Sequence, residues 1–313
     1  MAPTVFRTLL RRFTVMLLCL GSAMILGACN SLFYHPDRDL RMTPARLGLK
    51  FEETTVPVGK DPKNSYVHLW IVTPEGAKDA APPPIIVHFH GNAENMTSHI
   101  LFVAWLVKRG LSVVTFDYRG YGQSPGTPSR QSTVEDGVAV LDYIARRSEQ
   151  DNLFVLGQSL GGAVAVAALA SLPPEHPARR ALRGLVLEST FASYRRLAEA
   201  KLAQMRPLHL AKVPLSYLVT DGSSAVDAIG NLSTVPLMQL HGDADEVVPQ
   251  EQGRALFDAA AATAVPTAER QWINIPGGGH TPSFGWDASP YHDQLVAFLC
   301  RHTVGQKPRP ACP

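Results

Sequence analysis

From about Phe51 onward, short apolar runs rich in β-branched residues alternate with longer stretches whose apolar positions repeat at helical spacing. "YVHLWIV" (Tyr66 to Val72), "IIVHF" (Ile85 to Phe89, behind three prolines), "LSVVTFDY", "LFVLGQS", "LRGLVLEST", "PLMQLHG" and "RQWINI" have strand character. "HILFVAWLVKRG" predicts one amphipathic helix stopped by Gly110. "STVEDGVAVLDYIARR" predicts a helix with a Ser/Thr cap, an acidic first turn and a basic end. Further helices are expected over "LGGAVAVAALASL", around "QEQGRALFDAAAA" and over "YHDQLVAFLCRH".

Strands that alternate with helices predict an α/β fold with a mostly parallel central sheet and helices on both faces. Right-handed crossovers place the strand C-termini on one edge, where ligands bind in such sheets. The rhythm breaks between Phe191 and Val235, where helical pieces are interrupted by Pro207 and Pro214. A small helical cap over residues 191–235 is the favoured expectation, and an ordinary helical connection with a long loop is the alternative. The folded domain is expected over 51–313, behind an irregular tether over 29–50.

The first 28 residues form a different pattern. Arg7, Arg11 and Arg12 precede an apolar run that ends in small residues at "LGAC", Leu26 to Cys29. A basic start, an apolar centre and a small-residue end predict a signal peptide over 1–28, with an uncleaved signal anchor as the alternative. The end resembles a bacterial lipobox. That resemblance implies cleavage before Cys29, lipidation of Cys29, and a periplasm-facing chain anchored in the cell envelope. Asn30 in the following position favours the outer membrane. Removing residues 1–28 takes away three arginines and no acid, so the formal charge falls from +2 to −1. No basic surface for nucleic acid is indicated. Cys300 and Cys312 remain as either a disulfide pair or two free thiols.

Two pentapeptides, "GQSPG" at Gly122 to Gly126 and "GQSLG" at Gly157 to Gly161, both fit the nucleophile-elbow pattern G-x-S-x-G. The elbow needs a strand before it and a helix after it, and only Ser159 has both. After Ser124 comes Pro125, which has no N–H, and the N–H of the residue after the nucleophile helps to bind the oxyanion. One lost oxyanion donor costs roughly 3 kcal/mol in the transition state. Ser159 is therefore the expected nucleophile, Leu160 supplies the first oxyanion N–H, and Ser124 belongs to a Gly/Pro loop.

A serine hydroxyl needs a base, and the base needs a carboxylate to orient it. The fold's chain order is serine, acid, histidine. Asp243, Asp245 and Glu246 follow one strand, and His280 follows the next strand and a glycine loop. His280 is the expected base. His241 reads as a structural loop residue, and His292 and His302 as solvated positions on the last helix. The second oxyanion N–H should come from "HFHGNAEN", at Asn92 or, as the alternative, Ala93, with His90 positioning that loop. His88, His90, Asp117 and Glu188 lack the spacing of a metal site, and no cofactor is expected.

Taken together, "HFHGNAEN", "FDYRGYGQSPGTPS", "GQSLGG", "HGDADEVVP" and "PGGGH" resemble the α/β-hydrolase superfamily, and within it the Bem46-type serine hydrolases, a group that includes ABHD17-like depalmitoylating enzymes. The resemblance implies that the acid is Asp245, three residues before the Val-Pro pair. It also implies hydrolysis of a carboxylic ester or thioester in a small or acylated substrate, through an acyl-enzyme. Amide hydrolysis by an aminopeptidase-like relative is the second expectation. A non-catalytic binding lipoprotein is the third.

Overall fold

The computed structural model describes residues 33–59, 65–76, 82–147, 151–205, 210–222, 224–285, 289–305 and 312. The signal segment and Cys29 lie outside the described residues.

Eight strands form the central sheet: β1 (Phe51–Pro57), β2 (Tyr66–Val72), β3 (Ile85–Phe89), β4 (Ser112–Phe116), β5 (Leu153–Gln158), β6 (Leu182–Glu188), β7 (Leu237–Gly242) and β8 (Arg270–Ile275). Their spatial order is β8-β7-β6-β5-β3-β4-β2-β1. Only β2 runs against the others, pairing antiparallel with both β1 and β4. The sheet is therefore mostly parallel, as the alternation predicts.

Side chains alternate across the two faces because successive strand residues point in opposite directions. On β3, Ile85 and Val87 enter one core while Ile86 enters the other. The larger core is covered by α1 (Arg130–Arg147), α2 (Leu160–Ser171) and α5 (Gln250–Thr263). The smaller core lies under the helical turns of residues 96–108 and under α6 (Pro290–His302). Two-sided covering explains why the inner strands read as unbroken apolar runs.

Two helical expectations need correction. The stretch expected to form one helix up to Gly110 is broken into Met96–His99, a 3-10 turn at Ile100–Phe102, and Trp105–Lys108. Ile100, Val103, Ala104, Leu106 and Val107 are all buried, so this segment packs on more than one side and no regular apolar stripe is kept. The Trp105 indole N–H donates to the Phe102 carbonyl at the break, 2.9 Å away. Helix α1 starts at Arg130, ahead of the expected Ser/Thr cap. Ser129 caps it instead, its hydroxyl accepting the Ser132 N–H at 3.1 Å.

The described residues between 191 and 235 contain no strand of the sheet. They hold α3 (Tyr194–Gln204), α4 (Lys212–Ser216) and the short turns Ala225–Ala228 and Ile229–Leu232. The segment ahead of β1 is not a free tether in its described part. His35–Pro36 pairs in parallel with Ala93–Glu94, so it lies against the loop after β3. Cys300 on α6 is disulfide-bonded to Cys312, with Cα atoms 5.6 Å apart, which selects the paired alternative.

Candidate active site

The loops after β3, β5, β7 and β8 meet at the C-terminal edge of the sheet. At the end of β5 the chain turns abruptly into α2. Ser159 makes that turn with φ 53° and ψ −119°, a backbone strained for a residue with a Cβ. The turn is possible because Gly157, Gly161 and Gly162 lie close on either side of it. A Cβ on Gly161 would stand 2.1 Å from the Phe89 carbonyl oxygen, and one on Gly162 would stand 1.9 Å from the Thr190 hydroxyl. Strand β3, strand β6 and helix α2 thus converge with no room for a methyl group.

The strained turn presents the Ser159 hydroxyl to His280. Its Oγ lies 2.9 Å from Nε2 of the imidazole, and Nδ1 of the same ring lies 2.8 Å from Asp245 Oδ2. The three residues expected as nucleophile, base and acid form one hydrogen-bonded chain. The other oxygen of Asp245 accepts the backbone N–H groups of Val247 and Val248, at 2.9 and 2.8 Å. Burial by itself would raise the Asp245 carboxyl. Bonds with His241 and His280 and the N–H of Val248 outweigh it and hold the group below the usual carboxylate range.

Neither Asp243 nor Glu246 bonds to His280. Asp243 accepts from the Gly277 N–H at 2.7 Å and the Asn274 amide at 3.2 Å, which fastens β8's loop to β7's. The Glu246 carbonyl accepts from Lys201 and Gln204 of α3. His241 does more than fill its loop: Nε2 lies 2.9 Å from the Val248 carbonyl and 3.3 Å from Asp245 Oδ2, the same oxygen that His280 contacts. The last helix corrects two expectations. His292 is buried and stacked on Trp105 with ring centroids 3.8 Å apart, and His302 pairs with Glu269 at 2.9 Å.

Leu160 is the first residue of α2, so its N–H has no acceptor within the helix, and the residue lines the cavity beside Ser159. Asn92 lies across the cavity on the loop after β3. Its side-chain oxygen accepts from the His35 N–H at 2.8 Å and from the Tyr121 hydroxyl at 3.3 Å, which holds the loop in place. His90 is wholly buried beneath, bonded at 2.7 Å to the Gly91 carbonyl, and burial with the nearby His99 drives its pKa well below the usual histidine value. It supports the loop as a neutral ring.

One buried polar chain was not expected. His88 Nε2 bonds to Gln158 Oε1 at 2.8 Å, the Gln158 amide donates to Glu188 at 2.7 Å, and Glu188 accepts the Ser283 N–H at 2.6 Å. Burial, with some repulsion from His99, pushes His88 down to about 3, so the ring is neutral. Burial raises the Glu188 carboxyl against the bonds it receives. Gln158 precedes the serine and Ser283 follows the histidine by three positions. Glu188 therefore ties the two loops together from below. The only sequence signal for it is a charged residue at the end of an apolar strand.

Ser124 lies outside this cluster. It is fully buried, its hydroxyl donates to the Asp117 carbonyl at 2.7 Å and accepts the His68 N–H at 2.9 Å. A cavity of about 420 Å³ opens in front of Ser159, a size suited to a small organic ligand. Phe33, Phe191, Leu197 and Val247 give it a largely apolar wall, and Lys201 stands in its lining.

Comparison with known proteins bears on the fold and the family. Residues 80–228 match the family model described as serine aminopeptidase, S33. The protein YfhR of Salmonella typhi is 33% identical over 279 residues, covering 87% of this chain and 88% of that one. The chain belongs to the α/β-hydrolase superfamily. The protein bem46 of Schizosaccharomyces pombe is 29% identical over 279 residues, covering 88% of this chain and 85% of its own. Among solved structures, the Pyrococcus furiosus esterase Pf2001 superposes with a TM-score of 0.65 at 15% identity, over 86% of this chain and 98% of that chain. As an α/β-hydrolase, the chain has the expected architecture and hydrolase ancestry.

Proposed function

We propose that this hydrolase cleaves carboxylic esters or thioesters through an acyl-enzyme. The observation that carries the reading is the continuous chain Ser159–His280–Asp245, with links of 2.9 and 2.8 Å. The Ser159 oxygen attacks the acyl carbon while His280 Nε2 takes its proton. His280 then returns that proton to the leaving oxygen or sulfur as the acyl bond breaks. Water, deprotonated by the same nitrogen, attacks the acyl-serine and releases the acid. Asp245 keeps Nδ1–H oriented and stabilises the cation that forms. The N–H groups of Leu160 and Asn92 hold the oxyanion.

The cavity lining supports an ester over a peptide with a free amine. No carboxylate lines it among the described residues, and its one charged side chain is cationic Lys201. Amide hydrolysis is the second reading, favoured by the description of the family model that matches. Turnover of p-nitrophenyl and acyl-thioester series against a matched set of aminoacyl amides tests the choice. Faster cleavage of the amides, compared by kcat/KM, overturns the ester reading.

The same proposal places the chain in the cell envelope, anchored by lipid on Cys29, facing the periplasm and favouring the outer membrane. The N-terminal pattern and the Cys300–Cys312 disulfide support it, since disulfides persist in oxidising compartments. Mass spectrometry of the mature N-terminal peptide tests it, and an unmodified Cys29 overturns it.

A further inference from the structure

Eight large apolar side chains are exposed among the described residues, and five of them, Met205, Leu210, Val213, Tyr217 and Leu218, fall in one short stretch of chain. Leu210 is the extreme, 95% exposed. A soluble protein scatters such residues, and their concentration marks a surface that meets something apolar. The stretch carries α4 and directly follows α3, and the two helices pack on each other. Arg195 of α3 lies over the Tyr217 ring, 4.8 Å from its centroid.

Two further observations identify the occupant. The first is charge. The two helices carry Arg195, Arg196, Lys201 and Lys212 against one acid, Glu199. Cations among exposed Leu, Val, Met and Tyr match an anionic lipid surface, where apolar side chains enter the acyl boundary and cations meet headgroups. The second is reach. Phe33, an early described residue of the chain, lines the catalytic cavity. Cys29 is four positions upstream, so even a fully extended connection spans at most about 14 Å. The lipid anchor proposed above on Cys29, on which this point rests, would hold the cavity close to the bilayer whatever way the domain turns. Leu197 and Lys201 of α3 line that same cavity, and half-exposed Val247 stands in its wall.

We propose that the α3–α4 face docks on an anionic lipid bilayer, and that the Ser159 cavity takes its acyl substrate directly from that bilayer. The second half rests on the ester reading above. No helix among the described residues is long and apolar enough to span a membrane.

The full chain is reconstituted into vesicles of phosphatidylethanolamine and phosphatidylglycerol with an environment-sensitive fluorescent residue encoded in place of Leu210. A second sample carries it in place of Val304. Val304 is also exposed but bonds to Asn152, just before β5, at the sheet edge opposite Ser159. Lipid-borne quenchers should quench position 210 at least about threefold more than position 304. Equal quenching, or none at 210, overturns the docking. Shielding of 210 that persists in detergent at the mass of a dimer assigns the face to a second copy, and overturns it too. Leu210→Glu/Tyr217→Glu should lower hydrolysis of a bilayer-embedded long-chain p-nitrophenyl ester about tenfold and leave a soluble short-chain ester within about twofold. An unchanged ratio of the two rates overturns delivery from the bilayer. If the wild type hydrolyses neither ester, the ester reading fails, while the quenching still decides the docking.

Discussion

The Ser124 hydroxyl oxygen lies 2.7 Å from the carbonyl oxygen of Asp117 and donates its proton there. This hydroxyl joins the ends of β2 and β4, because it also accepts the His68 N–H. Ser124→Ala should leave fluorophosphonate labelling of the enzyme intact. It should lower unfolding free energy by about 1–3 kcal/mol, since two buried backbone groups lose their partner. Urea titration with a parallel labelling gel measures both. Loss of labelling in a folded Ser124→Ala protein would contradict the assignment of Ser159.

Asp245→Asn keeps the size of the side chain and removes the charge that orients Nδ1–H of His280. We expect kcat/KM to fall by about 10³–10⁴-fold with KM little changed, and Ser159→Ala to abolish labelling. Steady-state kinetics on a short p-nitrophenyl ester reads the first effect. A loss under tenfold would show that another group orients the histidine.

Asp117 should make stability depend on pH. Burial raises its carboxyl to about 7, despite N–H bonds from Met96 and Gln123. The unfolded value is near 4, so between about pH 4 and 7 the folded state holds a proton that the unfolded state has lost. Stability from this group is fully present below pH 4 and is lost as pH rises through 7. Between pH 5 and pH 8 the loss is about 2–3 kcal/mol. Asp117→Asn should make that part of the profile shallower, leaving the slope from Asp136, whose carboxyl burial also raises to about 7. Chemical unfolding at the two pH values is the measurement, and an equal slope in the variant would refute the shift.

The glycines near the site should divide sharply. Gly161→Ala places a methyl carbon 2.1 Å from the Phe89 carbonyl oxygen, so backbone must move. The cost should exceed about 3 kcal/mol, seen as loss of soluble protein or a large fall in Tm. Gly279→Ala meets nothing within 4 Å and should stay within about threefold of wild-type activity, although it neighbours His280.

Much of this was legible because the relevant signals are local. Strand Tyr66–Val72 could be bounded from β-branched and aromatic residues alone. Pro125 excluded one serine by the absence of a single N–H. Other features depend on residues distant in sequence. The chain from His88 through Gln158 to Glu188 links positions 70 and 30 residues apart, and no spacing rule connects them. His292 looked solvated because it sits among polar neighbours on α6, while its actual environment is the face of Trp105 on another helix. The break at residues 100–104 was hidden for the opposite reason: its apolar pattern also suits a helix, and only packing on several sides distinguishes the two.

Ser159 and His280 stand 121 positions apart, and β8, which leads to the histidine, is the outermost strand on its side of the sheet. Without β8 in place, Ser159 has no His280 beside it. Under the proposed mechanism the Ser159 hydroxyl therefore gains its proton acceptor only once β8 holds its place at the edge of the sheet. Turnover is in this sense a report of completed folding.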